Sequence, residues 1–240
     1  MNIFPTITTT NGQWKEKIRE ADDLGITELA VFPTGINKEE REELYSLLIR
    51  SKIKKIPFVH LRSDMDLNEI EFFIKKYNTQ IFNTHSNRDY PLPKEWIKYS
   101  SVIALENTFV CYLNEEEVKT FGGICLDFAH MENDRMTDLN KFYKNCEMMK
   151  KFPVKCNHIS AIKKRFKVEE GDDRLRYDSH SYSELSEFDY LKKYSINIFS
   201  DYCALELENN INEQLKAKEY ISKIIEGRDQ YVNKLFNDSY

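Results

Sequence analysis

The sequence predicts an α/β fold, a single (β/α)8 TIM barrel spanning residues 1–240, with about 227–240 as a C-terminal helical extension. Three observations predict it. Short apolar runs alternate with amphipathic stretches, the mark of βαβ units and a parallel sheet. Eight such units fit into 240 residues, the size of a compact barrel. No internal repeat, low-complexity tract or interdomain linker interrupts the pattern.

The elements follow in order. Residues 2–8 read as a first strand. Asn11 can cap a helix over 13–24 that ends at Gly25. Residues 28–32 form a second strand, and Asn37 caps a helix over 38–51 with Leu44, Leu47 and Leu48 on one face. A third strand covers 55–60 and a helix covers 67–77, with Ile70, Phe73 and Ile74 inward. A fourth strand covers 80–84, a short helix 93–99 and a fifth strand 102–106. One or two helical turns at 115–120 are broken by Gly122 and Gly123 before a sixth strand at 124–127. A helix over 139–151 leads to a seventh strand, 154–159. A long charged connection at 163–183 and a helix at 184–194 precede an eighth strand at 202–207. The last barrel helix, 212–225, is expected to stop at Gly227, with a further turn at 229–236.

Composition excludes several classes of function. Glycine is scarce, with 7 residues, and neither G-x-G-x-x-G nor a Walker A motif occurs, so nucleotide folds of those types have no support. The net charge of −5 argues against a phosphate-backbone tracker. No run of 18 apolar residues is present, and no charged n-region leads into an apolar h-region. The five cysteines form no C-x-x-C, and Cys125, Cys156 and Cys203 fall in predicted strands as small core residues. A cytoplasmic protein with reduced thiols is the expectation.

The five histidines share one kind of place. His60 ends the third strand in FVHLRSD, and His85 follows the fourth in IFNTHSN. His130 follows the sixth in CLDFAH, His158 lies in the seventh in KCNHIS, and His180 lies beyond it in YDSHS. Acidic residues accompany them: Glu106 in VIALENTF, Asp127 in CLDFAH, Asp178 beside His180, and Glu206 in CALELEN. A lone histidine at a strand end usually caps a carbonyl, and a lone glutamate usually meets a lysine or arginine. Nine such groups at one barrel mouth instead concentrate like charge and lone pairs, which divalent cations relieve. Zn²⁺, Mn²⁺, Fe²⁺ and Co²⁺ all suit these ligands.

The motifs VIALENTF, CLDFAH, NHIS followed by DSHS, and ALELEN resemble those of the xylose-isomerase-like TIM-barrel superfamily. It includes endonuclease IV-type AP endonucleases (AP endonuclease family 2), UV-damage endonucleases and sugar isomerases and epimerases. The resemblance covers nearly the whole chain through the order of its strand-end residues. By the isomerase pattern, Glu106, Asp127, His158 and Glu206 would hold one metal, and Glu106 and Glu206 would move the substrate proton. By the endonuclease IV pattern there would be three metals. His60, His85 and Glu106 would hold the first, Glu106, Asp127, His158 and Glu206 the second, and His130, Asp178 and His180 the third.

Three departures argue against DNA as substrate. The loop FPTGINKEE is short and lacks arginine, no aromatic wedge follows His60, and the connection from His158 to Asp178 is long and without a glycine-rich stretch.

Two enzymatic readings follow, both with Glu106 and Glu206 as catalytic residues. One is a multinuclear-metal hydrolase of a phosphoester, with Arg62, Lys163, Lys164 and Arg165 supplying charge to the substrate. The other is a sugar or sugar-phosphate isomerase or epimerase using one metal. Nine candidate ligands exceed what one ion needs, which favours the hydrolase. A non-catalytic metal-binding module is the third reading. Strand alternation aims Glu206 and Glu208 the same way, and only the motif selects Glu206.

Overall fold

In the computed structural model, which describes residues 1–169 and 172–237, parallel strands form a closed ring. The strands are β1 (Asn2–Phe4), β2 (Thr6–Thr8), β3 (Ala30–Phe32), β4 (Phe58–His60), β5 (Ile81–Thr84), β6 (Ile103–Glu106), β7 (Ile124–Asp127), β8 (Val154–Ile159) and β11 (Tyr202–Leu205). β1 and β2 are one run of chain divided at Pro5. β1 pairs with β11 and β2 with β3, so the two halves of the first barrel strand close the sheet. Proline has no N–H for a ladder and tolerates such a break. The ring is thus an eight-stranded α/β barrel.

Helices on the outside are α1 (Trp14–Asp23), α2 (Lys38–Arg50), α3 (Leu67–Tyr77), α4 (Glu115–Thr120), α5 (Phe128–Thr137), α6 (Leu139–Lys151) and α7 (Ile211–Asn237). α2 and α3 begin with reciprocal capping boxes, Asn37 with Glu40 and Asp66 with Glu69. Asn11 does not cap α1 as expected: the N-cap is Gln13, without a side-chain cap bond, and Asn11 Oδ1 accepts the Gln13 N–H just ahead of the helix. Gly25, at φ +70°, takes the chain out of α1 in the left-handed region, where a side chain would be strained.

The interior of the barrel is a cluster of Phe4, Ala30, Phe32, Phe58, Ala104, Cys125, Cys156 and Ala204, among others. Two larger apolar clusters lie between sheet and helices, one around Leu105, Leu126 and Phe188 and one around Val31, Val59 and Trp96. All five cysteines are free. No helix among the described residues is long and apolar enough to cross a membrane.

Further expectations need correction. The charged stretch after the seventh predicted strand is not a loop but an antiparallel hairpin of β9 (Ala161–Glu169) and β10 (Asp172–Ser179). Its alternation was hidden because charges occupy exposed positions of both strands. α5 starts directly at the end of β7 and escapes a periodicity search, since seven of its residues in a row are buried. α7 runs through Gly227 to Asn237, because one glycine costs a helix only about 1 kcal/mol. Residues 238–240 of the expected extension lie outside the described residues. The segments at 93–99 and 184–194 are 3-10 helices, Lys94–Val102 and Leu185–Lys193.

A buried lysine sits at the barrel seam. Lys17 is 2% exposed, and its Nζ donates to Thr8 Oγ1 and, at 3.0 Å, to the Leu207 carbonyl. Burial lowers its pKa from 10.5 to about 8, against the pull of Glu208 and Glu20. Between those two pH values the unfolded chain holds a proton that the folded chain has lost, so stability rises with pH. Relative to Lys17→Met, the wild type is expected to gain about 3 kcal/mol between pH 7.5 and 10.5. Urea titrations at both pH values check this; a stability difference that does not move with pH refutes it.

Candidate metal centre

The parallel ring brings every strand's C-terminal end to one mouth, and the candidate ligands meet there. Glu106, the last residue of β6, lies at the centre. Its Oε2 accepts from Asn83 Nδ2 at 2.6 Å and stands 3.1 Å from His60 Nε2, 3.5 Å from His158 Nδ1 and 3.9 Å from His85 Nε2. His60 Nδ1 bonds the Leu61 carbonyl at 2.9 Å, which makes Nδ1 the donor and leaves Nε2 as the lone pair facing Glu106.

Asp127 ends β7 and caps α5. Its Oδ1 accepts the His130 N–H at 2.7 Å, and Asn107 clamps its backbone N–H and carbonyl at 2.8 and 3.0 Å. The cap occupies one oxygen and leaves Oδ2 facing the pocket. His158, in register with Asp127 on β8, packs against Phe32 and Phe58 at ring separations of 4.7 and 5.4 Å. Those rings form an apolar floor. Glu206, just beyond β11, has Oε2 3.3 Å from His158 Nδ1 and 3.8 Å from His180 Nε2. Glu208 turns to Thr10, whose hydroxyl it accepts at 2.9 Å.

Two donor groups result. Glu106, Asp127, His158 and Glu206 offer four ligand atoms within 4.8 Å of one another, and His60, His85 and Glu106 offer three within the same limit. Cys125 also lies within that limit of Glu106 and His158, but burial pushes its thiol well above the ordinary range, which disfavours thiolate ligation.

Buried polar atoms in folded proteins find partners as a rule. Here Asp127 Oδ2, both ring nitrogens of His158, His180 Nε2 and Glu206 Oε2 are buried without a hydrogen bond. A divalent cation is the partner this donor set fits.

Electrostatics agrees. Burial raises Asp127 to about 7, helped by Glu206 and Glu106 and opposed by His130. Burial also opposes the charged forms of Glu106 and Glu206. The imidazoles around each outweigh it, His158 first for Glu106 and His180 first for Glu206, and both carboxyls fall below their usual range. His158 rises well above its usual value because Glu106 and Glu206 outweigh burial. Burial lowers His85. Imidazoles are the leading positive neighbours of these three carboxylates over the apolar floor.

The remaining sequence candidates are placed as follows. His130 directs Nε2 inward, 3.9 Å from Glu106 Oε1 and 3.9 Å from Asp127 Oδ2, while its Nδ1 meets Asp178 Oδ2 at 3.0 Å. Asp178 is held by Arg176, and His180 faces Glu206, so His130, Asp178 and His180 do not form a third donor group. Arg62 lines a cavity of about 190 Å³ with Thr34, His60, His85 and Tyr90. Lys163 is tied to Glu187 at 2.7 Å and Lys164 to Glu184 at 2.8 Å, while Arg165 is exposed on β9.

Asn83, Asn107, Tyr90 and Arg176 escaped the sequence reading. Asn83 and Asn107 carried a signal, an amide inside or just after an apolar strand.

No protein-family model matches the sequence, and no curated protein does. Among solved structures the chain is similar to a xylose isomerase-like TIM barrel protein from Mycobacterium smegmatis in complex with magnesium, at 10% identity over 93% of this chain and 96% of that one, with a TM-score of 0.47. It is similar to an AP endonuclease, family 2, from Brucella melitensis at 12% identity over 89% and 96%, with a TM-score of 0.43. A D-tagatose 3-epimerase-like protein stands at 15% identity over 95% and 99%, with a TM-score of 0.44. Identities this low bring no activity with them.

Proposed function

We propose that this chain is a metal-dependent hydrolase of small phosphoesters, working with two divalent ions that share Glu106. One observation carries the reading: Glu106 alone belongs to both the three-donor and the four-donor group, and the other three members of the four-donor group hold buried ligand atoms without a hydrogen bond. Bound divalent ions would supply Lewis acidity and a water nucleophile at neutral pH.

The chain's own residues do the rest. Asn83 holds Glu106 in place. Glu206, the least enclosed of the three carboxylates, would accept the proton of the attacking water on its other oxygen, leaving Oε2 to the ion. His130 is raised to about 9; burial opposes this, but Asp127 and Asp178 outweigh it. Its Nε2 faces the site 3.9 Å from Glu106 Oε1, placed to hand a proton to the leaving oxygen. Arg62 lines the cavity beside His60 and His85 and, although its Nε pairs with Asp64 at 2.9 Å, is the cation best placed to meet the phosphate. Lys163 spends its charge on Glu187 and contributes little to the substrate.

A second reading, a sugar isomerase or epimerase with one ion, is favoured by a different observation. The four-donor group suffices for one ion, and it sets Glu106 and Glu206 at 3.5 and 3.3 Å from the same His158 nitrogen.

His85→Ala separates the two, since His85 belongs only to the three-donor group. With Mn²⁺ or Zn²⁺ and bis(p-nitrophenyl) phosphate, the variant is expected to lose one ion per chain and on the order of 10²-fold in kcat/KM. No hydrolysis by the metal-loaded wild type, together with solvent deuterium entering a ketose, would replace the hydrolase with the isomerase.

A further inference from the structure

The carboxylate that a third ion would need is already neutralised by the protein. Asp178, at the end of β10, has a side chain with no exposure, and both of its oxygens accept from the Arg176 guanidinium, Nε to Oδ1 at 3.0 Å and Nη2 to Oδ2. Oδ2 also faces His130 Nδ1 at 3.0 Å. The guanidinium lies 3.9 Å from the centroid of the Phe109 ring, which in turn stands 5.8 Å from the His130 ring. The hairpin is pinned beside α5 by the Tyr177 N–H, which donates to Asn133 Oδ1 at 2.8 Å. His180, the remaining member of the expected third set, has its ring 6.4 Å from that of His130 and its Nε2 toward Glu206.

We infer that Arg176 takes the place of a third metal ion. Its fixed charge satisfies Asp178 in a planar, two-pronged geometry that no exchangeable ion is needed to complete. Through Asp178 it holds the His130 ring so that Nε2 points at Glu106 and Asp127. Arg176 is a positioning residue: it acts on His130 through Asp178. This inference rests on the metal reading proposed above and sets its upper limit at two ions per chain.

The experiment counts metal. Purified wild type, Arg176→Met, Arg176→Lys and Asp178→Asn are loaded with excess Zn²⁺, desalted and weighed by native mass spectrometry, with circular dichroism to confirm folding. Removing the guanidinium leaves a buried carboxylate beside the His130 imidazole without its cation, a place where zinc can supply the missing charge. Arg176→Met is therefore expected to bind one ion more than the wild type. Arg176→Lys keeps a cation and is expected at the wild-type count, as is Asp178→Asn, which leaves both donor groups intact.

Three ions in the wild type, one ion lost in Asp178→Asn, or no gain in folded Arg176→Met would overturn the inference. Should Arg176→Met fail to fold, Asp178→Asn decides alone. A wild type that binds no zinc would instead sink the metal reading itself, so the two failures are distinguishable.

Discussion

Glu106→Gln is expected to leave the centre without stably bound divalent metal and to lower turnover by at least about 10³-fold. Losing a hydrogen-bond partner of a ligand already costs roughly 10- to 100-fold in metal affinity. Glu106 is itself a donor, and it is common to both groups. The amide keeps one acceptor oxygen, and turning it to Asn83 Nδ2 puts the N–H₂ where Oε1 now faces His130.

The same substitution has a thermal signature. Metal at a thousand times its Kd stabilises a folded chain by about 4 kcal/mol. For a chain of this length that is roughly 8–16 °C in Tm. The wild type is expected to show that shift with Zn²⁺ or Mn²⁺, and Glu106→Gln to show almost none. A variant with full metal content and an undiminished shift would remove Glu106 from the centre.

Arg41→Met is expected to cost about 3–5 kcal/mol of stability, with Tm lower by roughly 10 °C, while the folded variant keeps its metal. Arg41 is fully buried, yet carries a charge from α2 to α3. Nε and Nη2 grip the two oxygens of Glu69 at 2.8 and 3.0 Å, and Nη1 reaches Asp64 at 3.3 Å. Glu69 further accepts Tyr45 Oη at 2.6 Å and closes the capping box of α3. Removing the guanidinium strands a carboxylate that is 8% exposed and loosens a helix start. Buried pairs are worth little against an apolar replacement of both members, whereas breaking one is expensive. Replacing Glu69 by Met as well should therefore recover much of the loss. A urea midpoint that Arg41→Met leaves in place would show that the pair is not structural.

The barrel was legible where hydrophobic period and caps agree. α3, α4, α6, β7 and β8 have the limits expected from sequence, and the structure adds the caps Asp66, Asn114 and Asp138 at the starts of the three helices. The mouth was legible because parallel strands must deliver their end residues to one side, so position along a strand becomes position in space. Periodicity failed for α5, which is buried all round, and for the hairpin, whose charges resemble a solvated loop. The same camouflage hid Arg176: two residues before Asp178 it reads as surface charge, and only the folding of β10 against α5 turns it inward. The expected third donor group depended on that stretch, and it is the part of the site that the structure arranges differently.

The division of the first strand at Pro5 bears on synthesis. The strand Asn2–Phe4 finds its pairing partner in Tyr202–Leu205, some 200 residues later. At translation rates of about 5–20 residues per second, that leaves an interval of roughly 10–40 s in which the nascent sheet has two raw margins. Unpaired margins of this kind recruit other chains. The last strand to leave the ribosome acts as the zip, and a chain stalled before it would present an open, adhesive sheet to its neighbours.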